Sequence, residues 1–180
     1  ADPTSPATLA TCDLYGEARA VAVAGDLACA ATGDWGIATI DVSDPTAPWM
    51  MGYAYETGSA LDVAMLGDHA FVAYGWYGLR VVDISTPTDP TFVAQLETER
   101  QTVGARVFDG TLYLAVDDGG ILIVDIADPN APAVVAAVDT PGMAQDLVIV
   151  DGLAYVADGT AGLQIVDLAA AGGPPIVGSL

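Results

Sequence analysis

Leu147-Val148-Ile149-Val150, Asp151-Gly152, Leu153-Ala154-Tyr155-Val156-Ala157, Asp158-Gly159-Thr160-Ala161-Gly162, Leu163-Gln164-Ile165-Val166-Asp167: three short apolar runs, punctuated by Gly and Asp. Each run is rich in β-branched and aromatic residues and too short for a stable helix, so each reads as a strand. Asp-Gly between the first two runs is a strong hairpin signal, because a type I′ turn needs positive φ at both central residues.

The same pattern recurs along the whole chain. Gly36, Gly78, Gly120 and Gly162 are each 42 residues apart, and so are Asp41, Asp83, Asp125 and Asp167, and Ala31, Ala73, Ala115 and Ala157. A constant period means one supersecondary unit, copied and stacked. The first hairpin of each repeat carries Asp109-Gly110 and Asp151-Gly152 in repeats three and four, and the reverse order, Gly25-Asp26 and Gly67-Asp68, in repeats one and two.

After the third run comes a proline-bracketed segment: Asp44-Pro45-Thr46-Ala47-Pro48, Thr86-Pro87-Thr88-Asp89-Pro90, Asp128-Pro129-Asn130-Ala131-Pro132. Proline removes a ladder donor and fixes φ, so this segment connects strands. A fourth run follows, such as Thr91 to Leu96. With the strands labelled a, b, c and d, four short antiparallel strands per repeat of 42 residues predict an all-β fold, a β-propeller of four blades. The repeated alanine is expected where adjacent blades approach closely.

Leu147 to Asp151 spells the motif of the LVIVD-repeat family, and the Asp-Pro-x-x-Pro connections and Gly-Leu-x-Ile-Val-Asp strand also resemble that family across essentially the whole chain. Repeat one departs most, with Cys29 where the others have Phe71, Tyr113 and Tyr155. The resemblance implies a β-propeller, usually extracellular or at the cell surface. It implies no established activity and no catalytic motif.

The chain 1–180 reads as one propeller unit, with repeats at 14–55, 56–97, 98–139 and 140–180. Asp2 to Pro6 aligns with Asp44 to Pro48, so the segment Ala7 to Asp13 enters as an extra N-terminal outer strand, without its own a, b and c. The last d strand, Pro175 to Leu180, is present too. Five d strands for four a-b-c sets predict a slice of a larger ring rather than a closed one. Its exposed end blades predict self-association or a protein partner.

The net charge is −20, with four cationic residues, all Arg. That excludes ordinary nucleic-acid binding, which needs cations to displace phosphate counterions, and disfavours anionic membrane surfaces. No apolar run approaches the length of a membrane-spanning helix, and none has the pattern of a signal peptide. Strong acidity suits a secreted protein or one adapted to high salt.

His69 is the only histidine, so a histidine-based triad or a multi-histidine metal site cannot be assembled; it is expected as an exposed residue of the a–b hairpin. The four aspartates from Asp41 to Asp167 are expected to accept backbone N–H groups at the c–d turns, not to form a metal site. Asp117-Asp118-Gly119-Gly120 and Asp158-Gly159-Thr160 offer oxygens to Ca²⁺ but lack EF-hand spacing, so no cofactor is expected. Cys12 and Cys29 align with Ala54/Phe71, Leu96/Tyr113 and Val138/Tyr155, read as a contact between a d strand and the next blade's b strand. A disulfide in that place and two buried free thiols both fit.

The b–c loops of repeats one and two carry Trp35 and Trp76-Tyr77, where repeats three and four have Asp118-Gly119 and Thr160-Ala161. In a propeller the b–c and d–a loops share a face. Two neighbouring aromatic loops suggest a binding patch, with Asp34 and Glu56 as its polar rim; the alternative is that these rings cap the core. The function expected is a non-catalytic scaffold or protein-interaction module. The rivals are a carbohydrate-binding module stacking sugars on Trp35, Trp76 and Tyr77, and a propeller hydrolase or lyase, against which stand the single histidine and the lack of a nucleophile motif.

Overall fold

The computed structural model describes residues 4–169 and 175–179, and those residues form four sheets of four antiparallel strands each. Blade 1 holds β1 (Ala20–Ala24), β2 (Leu27–Ala31), β3 (Ile37–Asp41) and β4 (Trp49–Ala54). Blade 2 holds β5 (Asp62–Leu66), β6 (His69–Ala73), β7 (Leu79–Asp83) and β8 (Thr91–Leu96). Blade 3 holds β9 (Gly104–Phe108), β10 (Thr111–Ala115), β11 (Ile121–Asp125) and β12 (Ala133–Val138). Blade 4 holds β13 (Asp146–Val150), β14 (Leu153–Ala157), β15 (Leu163–Asp167) and β16 (Ile176–Ser179). The only helical turn among the described residues is a 3-10 turn, Gly159–Ala161.

The turns follow from their residues. Asp109 and Asp151 take φ of 48° and 51° and their following glycines 75° and 78°, as a type I′ hairpin requires. In the reversed pairs only the glycine is left-handed, Gly25 at 59° and Gly67 at 56°. His69 lies just past that hairpin: it opens β6, half-buried, opposite Leu66 and Asp83, and is thus a strand residue rather than a turn residue. The repeated glycine before each c strand is left-handed and crowded, because a Cβ on Gly36, Gly78 or Gly120 would stand 2.2, 2.3 or 2.2 Å from the last carbonyl of the d strand. No L side chain fits there.

At each c–d turn the repeated aspartate accepts the backbone N–H two residues on: Ser43 to Asp41 at 2.8 Å, Ser85 to Asp83 at 2.8 Å, Ala127 to Asp125 at 2.9 Å and Ala169 to Asp167 at 3.0 Å. Every c–d ladder then shifts register by a bulge, between Thr39/Ile40, Val81/Val82, Ile123/Val124 and Ile165/Val166.

The inner strands β1, β5, β9 and β13 pack side by side in that order, and the blades bury apolar faces against one another. Cys29, Ala31 and Ile37 of blade 1 meet Ala70, Val72 and Val82 of blade 2. Phe71, Ala73 and Leu79 meet Leu112, Leu114 and Val124 of blade 3. Tyr113, Ala115 and Ile121 meet Ala154, Val156 and Val166 of blade 4. A fully buried Leu or Val adds on the order of 2 kcal/mol, so these faces dominate the stability. Ala31, Ala73 and Ala115 are fully buried, as expected of a close approach, but Ala157 is exposed. Blade 4 therefore presents an open face, and the sheets form an arc, not a closed ring.

Two expectations change. The segment Ala7 to Asp13 forms no strand; it runs over the outer face of blade 1, where Cys12 and Leu14 pack on Ala28, Ala30 and Ile40. It lies on the side where a preceding blade would stand, but without b and c strands it has no ladder to join. Of the two readings open for Cys12 and Cys29, the disulfide is not the one formed. Side chains alternate along β2, so Cys29 faces blade 2 while Ala28 and Ala30 face the N-terminal segment. Both thiols are free. The same alternation sends Phe71 and Tyr113 toward the following blade and Tyr155 to the open side of blade 4, so these rings do not pack on Ala54, Leu96 and Val138 of equal phase.

Candidate functional site

The b–c loops and the d–a loops meet on one face, as expected. Gly33 and Ala60 exchange both backbone hydrogen bonds, at 3.1 and 2.9 Å, as do Gly75 and Thr102, also at 3.1 and 2.9 Å. The Ala144 N–H bonds the Asp117 carbonyl at 2.9 Å. Each b–c loop is thereby clamped to the next blade, which gives side chains on this face a fixed platform.

The aromatic residues of that platform are exposed. Trp35 is 49% accessible, Trp76 71% and Tyr77 45%, so they do not cap the core. Trp35 stands in a larger cluster. Its ring stacks on Tyr15 with centroids 5.6 Å apart, Tyr15 meets Tyr53 edge-on at 5.4 Å, and Tyr55 lies 6.5 Å from Trp35. Gly16 permits this, since φ is +78° and a Cβ would lie 2.5 Å from the Trp35 ring. Asp34, Trp35, Tyr53 and Tyr55 line a shallow hollow of about 290 Å³.

Glu56 has a different role from the one expected. Its carboxylate accepts from the Arg80 guanidinium at 2.8 Å, and the Arg80 side chain is nearly buried. Arg80 also donates to the Tyr77 carbonyl at 2.8 Å and lies 5.7 Å from the Tyr77 ring centroid and 5.9 Å from that of Tyr74. The Tyr74 hydroxyl donates to the Glu56 carbonyl at 2.8 Å. Burial, and then the nearby Glu56 carboxylate, push the Tyr74 phenol up to about 12. Glu56 thus holds the loop through Arg80 and Tyr74. Tyr55 turns to Trp35 and Glu56 to Arg80, so two consecutive residues touch the aromatic group of blade 1 and the Arg80–Tyr77 pair of blade 2.

Sequence reasoning missed Tyr15, Tyr53 and Tyr55. The signal was available in the period: their counterparts are Thr57, Gln95 and Glu97 in repeat two and Glu99, Ala137 and Asp139 in repeat three, all small or polar. Trp49, half-exposed on β4, is a fourth such departure, standing where Thr91 and Ala133 stand.

The acidic segments are engaged in holding loops. Asp158 is buried; one carboxylate oxygen accepts from the Thr140 hydroxyl at 2.6 Å and the other from the Gly142 N–H at 2.9 Å. Asp118 pairs with Arg100 at 2.7 Å. Asp117 is the one non-glycine residue at its phase, left-handed at φ 49° where Gly33, Gly75 and Gly159 stand in the other blades. Among the described residues no group of three or more His, Cys, Asp and Glu is placed to hold a metal ion. No helix among them is long and apolar enough to cross a membrane.

Comparison with known proteins agrees with this geometry. Two computationally designed proteins of known crystal structure share the fold. Ika4 superposes with a TM-score of 0.69 at 10% identity, over 85% of this chain and 92% of its own. Ika8 superposes with a TM-score of 0.70 at 11% identity, over 91% of this chain and 48% of its own, so the chain spans about half of Ika8. No curated protein matches the sequence. The LVIVD repeat model matches at residues 15–56, 57–98, 106–140 and 141–179. With blades, turns and repeats all at this period, the chain belongs to the LVIVD-repeat family.

Proposed function

We propose that this chain is a non-catalytic interaction module of an extracellular or cell-surface protein. It binds a protein partner through the b–c/d–a face of blades 1 and 2. The observation that carries this reading is the exposed cluster of Tyr15, Trp35, Tyr53 and Tyr55, with Trp76 and Tyr77 exposed on the next b–c loop of the same face. Exposed aromatic rings held on rigid backbone lose little entropy on binding, which is why Trp and Tyr dominate hot spots. The acidic surface around them favours a partner with a basic or neutral contact face.

A carbohydrate is the second reading, favoured by the hollow between Trp35, Tyr53 and Tyr55, where Asp34 offers an acceptor beside flat rings. One experiment separates the two. The chain is applied to envelope fractions of its source cells, treated beforehand with protease or with periodate. Loss of binding after protease, and in the Trp35→Ser/Tyr53→Ser variant with its circular dichroism spectrum intact, supports the protein reading. Loss after periodate only supports the sugar. Turnover on a hydrolase and lyase substrate panel would replace both with an enzyme.

A further inference from the structure

The inner strands carry an alternation that the 42-residue period does not explain. Position one of β1, β5, β9 and β13 is Ala20, Asp62, Gly104 and Asp146. Asp62 serves two blades. One carboxylate oxygen accepts the Val63 N–H of its own strand at 2.9 Å, and the other accepts the Ala105 N–H of blade 3 at 2.9 Å. Blade 3 has no acid of its own there, because Gly104 occupies the place. Asp146 repeats the first half of this arrangement: it accepts the Leu147 N–H at 2.8 Å and Arg106 at 2.8 Å. The second half needs a further inner strand with a small residue at position one. Blade 1 has that strand, with Ala20 in phase with Gly104 and Val21 in phase with Ala105.

The faces match in the same way. On blade 4, Tyr155, Ala157 and Leu163 lie at the phase of Tyr113, Ala115 and Ile121, but they are open where those are buried. The blade 4 face that receives Tyr113, Ala115 and Ile121 consists of Ala154, Val156 and Val166. Its counterpart on blade 1 is Ala28, Ala30 and Ile40, apolar like it; among the described residues Cys12, Leu14 and Val42 are the half-buried hydrophobic side chains packed on it. Cys12 and Leu14 are themselves only half-buried.

We propose that the open face of blade 4 receives blade 1 of a second copy of this chain, head to tail. Asp146 of one copy then caps the Val21 N–H of the other, and the segment around Cys12 and Leu14 moves aside. The joint continues the blade-to-blade interface already present three times in each chain. A symmetric face-to-face pairing would instead set Tyr155 on Tyr155 and leave both Asp146 carboxylates side by side.

The test uses the 180-residue chain in sedimentation equilibrium. The expected result is association to at least twice the 18.2 kDa chain mass, and a monomer at every concentration overturns the proposal. Leu163→Arg, with Tyr155→Lys as a second variant should the first misfold, is expected to be monomeric with an unchanged circular dichroism spectrum. Either variant folded yet associating as the wild type overturns the proposal. A tagged Leu163→Arg chain is still expected to capture the untagged wild type, because its blade 1 is intact. Failure to capture, with the wild type still associating, would mean symmetric pairing and also overturns it. Asp146→Ala is expected to weaken association about tenfold or more, as loss of a charge-assisted cap does; an unchanged dissociation constant would remove Asp146 from the joint.

Discussion

The carboxylate of Asp62 on blade 2 and the guanidinium of Arg106 on blade 3 are hydrogen-bonded across the blade boundary, and Arg106 reaches on to Asp146 of blade 4. The inner strands of three blades are thus tied by one cation. Asp62 also accepts two backbone N–H groups, and its side chain is only 11% exposed. Asp62→Ala removes the acceptor of both backbone donors and one of the two carboxylates on Arg106, which keeps Asp146. The expected cost is about 2–4 kcal/mol, read as a lower urea midpoint at an unchanged slope. Asp146→Ala, whose side chain is 54% exposed, is expected to cost about 1 kcal/mol or less.

Glycine at the b–c turn is demanded by space as well as by φ. Gly78 has φ +74° and its Cβ would meet the Leu96 carbonyl at 2.3 Å, whereas Gly67 has φ +56° and open space around it. Gly78→Ala is expected to lose about 3 kcal/mol or more, and Gly67→Ala about 1 kcal/mol. Thermal unfolding of the two variants side by side measures the difference, and equal losses would contradict the crowding argument.

Acid should act on the c–d turns. The Ser43 hydroxyl and then its N–H hold Asp41 below its ordinary 3.8; Ser85 does the same for Asp83, and the Thr46 hydroxyl and N–H for Asp44. A carboxylate depressed by folding stabilises fully above its unfolded pKa, and that contribution is lost as pH falls through the folded value. Stability from these turns is therefore expected to be level at neutral pH and to decline only below 3.8. Carbon NMR of the carboxyl resonances checks the direction: titration of Asp41 and Asp83 above 3.8 would contradict it.

The thiols should differ in kind. Burial pushes Cys29 up to about 12, and it is fully enclosed between blades 1 and 2, while Cys12 is half-buried on the far side of blade 1. A thiol reagent at mildly alkaline pH is expected to modify Cys12 in the folded chain and Cys29 only after denaturation. Two fast equivalents in the native state, or none under oxidising conditions, would show that the sheet does not separate them.

The local chemistry was legible because it is repeated. Gly36 before β3, Asp41 after it and Asp109-Gly110 between β9 and β10 act within a few residues, through φ or a short side-chain bond, and each says the same thing once per blade. Trp35, Trp76 and Tyr77 could be placed in loops for the same reason.

What the sequence alone determined, then, was the strand order within each blade, the turn types and the period, because these depend on neighbours along the chain. The tertiary structure decided which way each strand faces: Cys29 to blade 2, and Ala28 and Ala30 to Cys12. It decided that the N-terminal segment lies on blade 1 without pairing. It also decided that Glu56 is spent on Arg80, and that Tyr15, Trp35, Tyr53 and Tyr55 converge. Those contacts join residues that the period sets apart, and only the packing of one twisted sheet on the next brings them within reach.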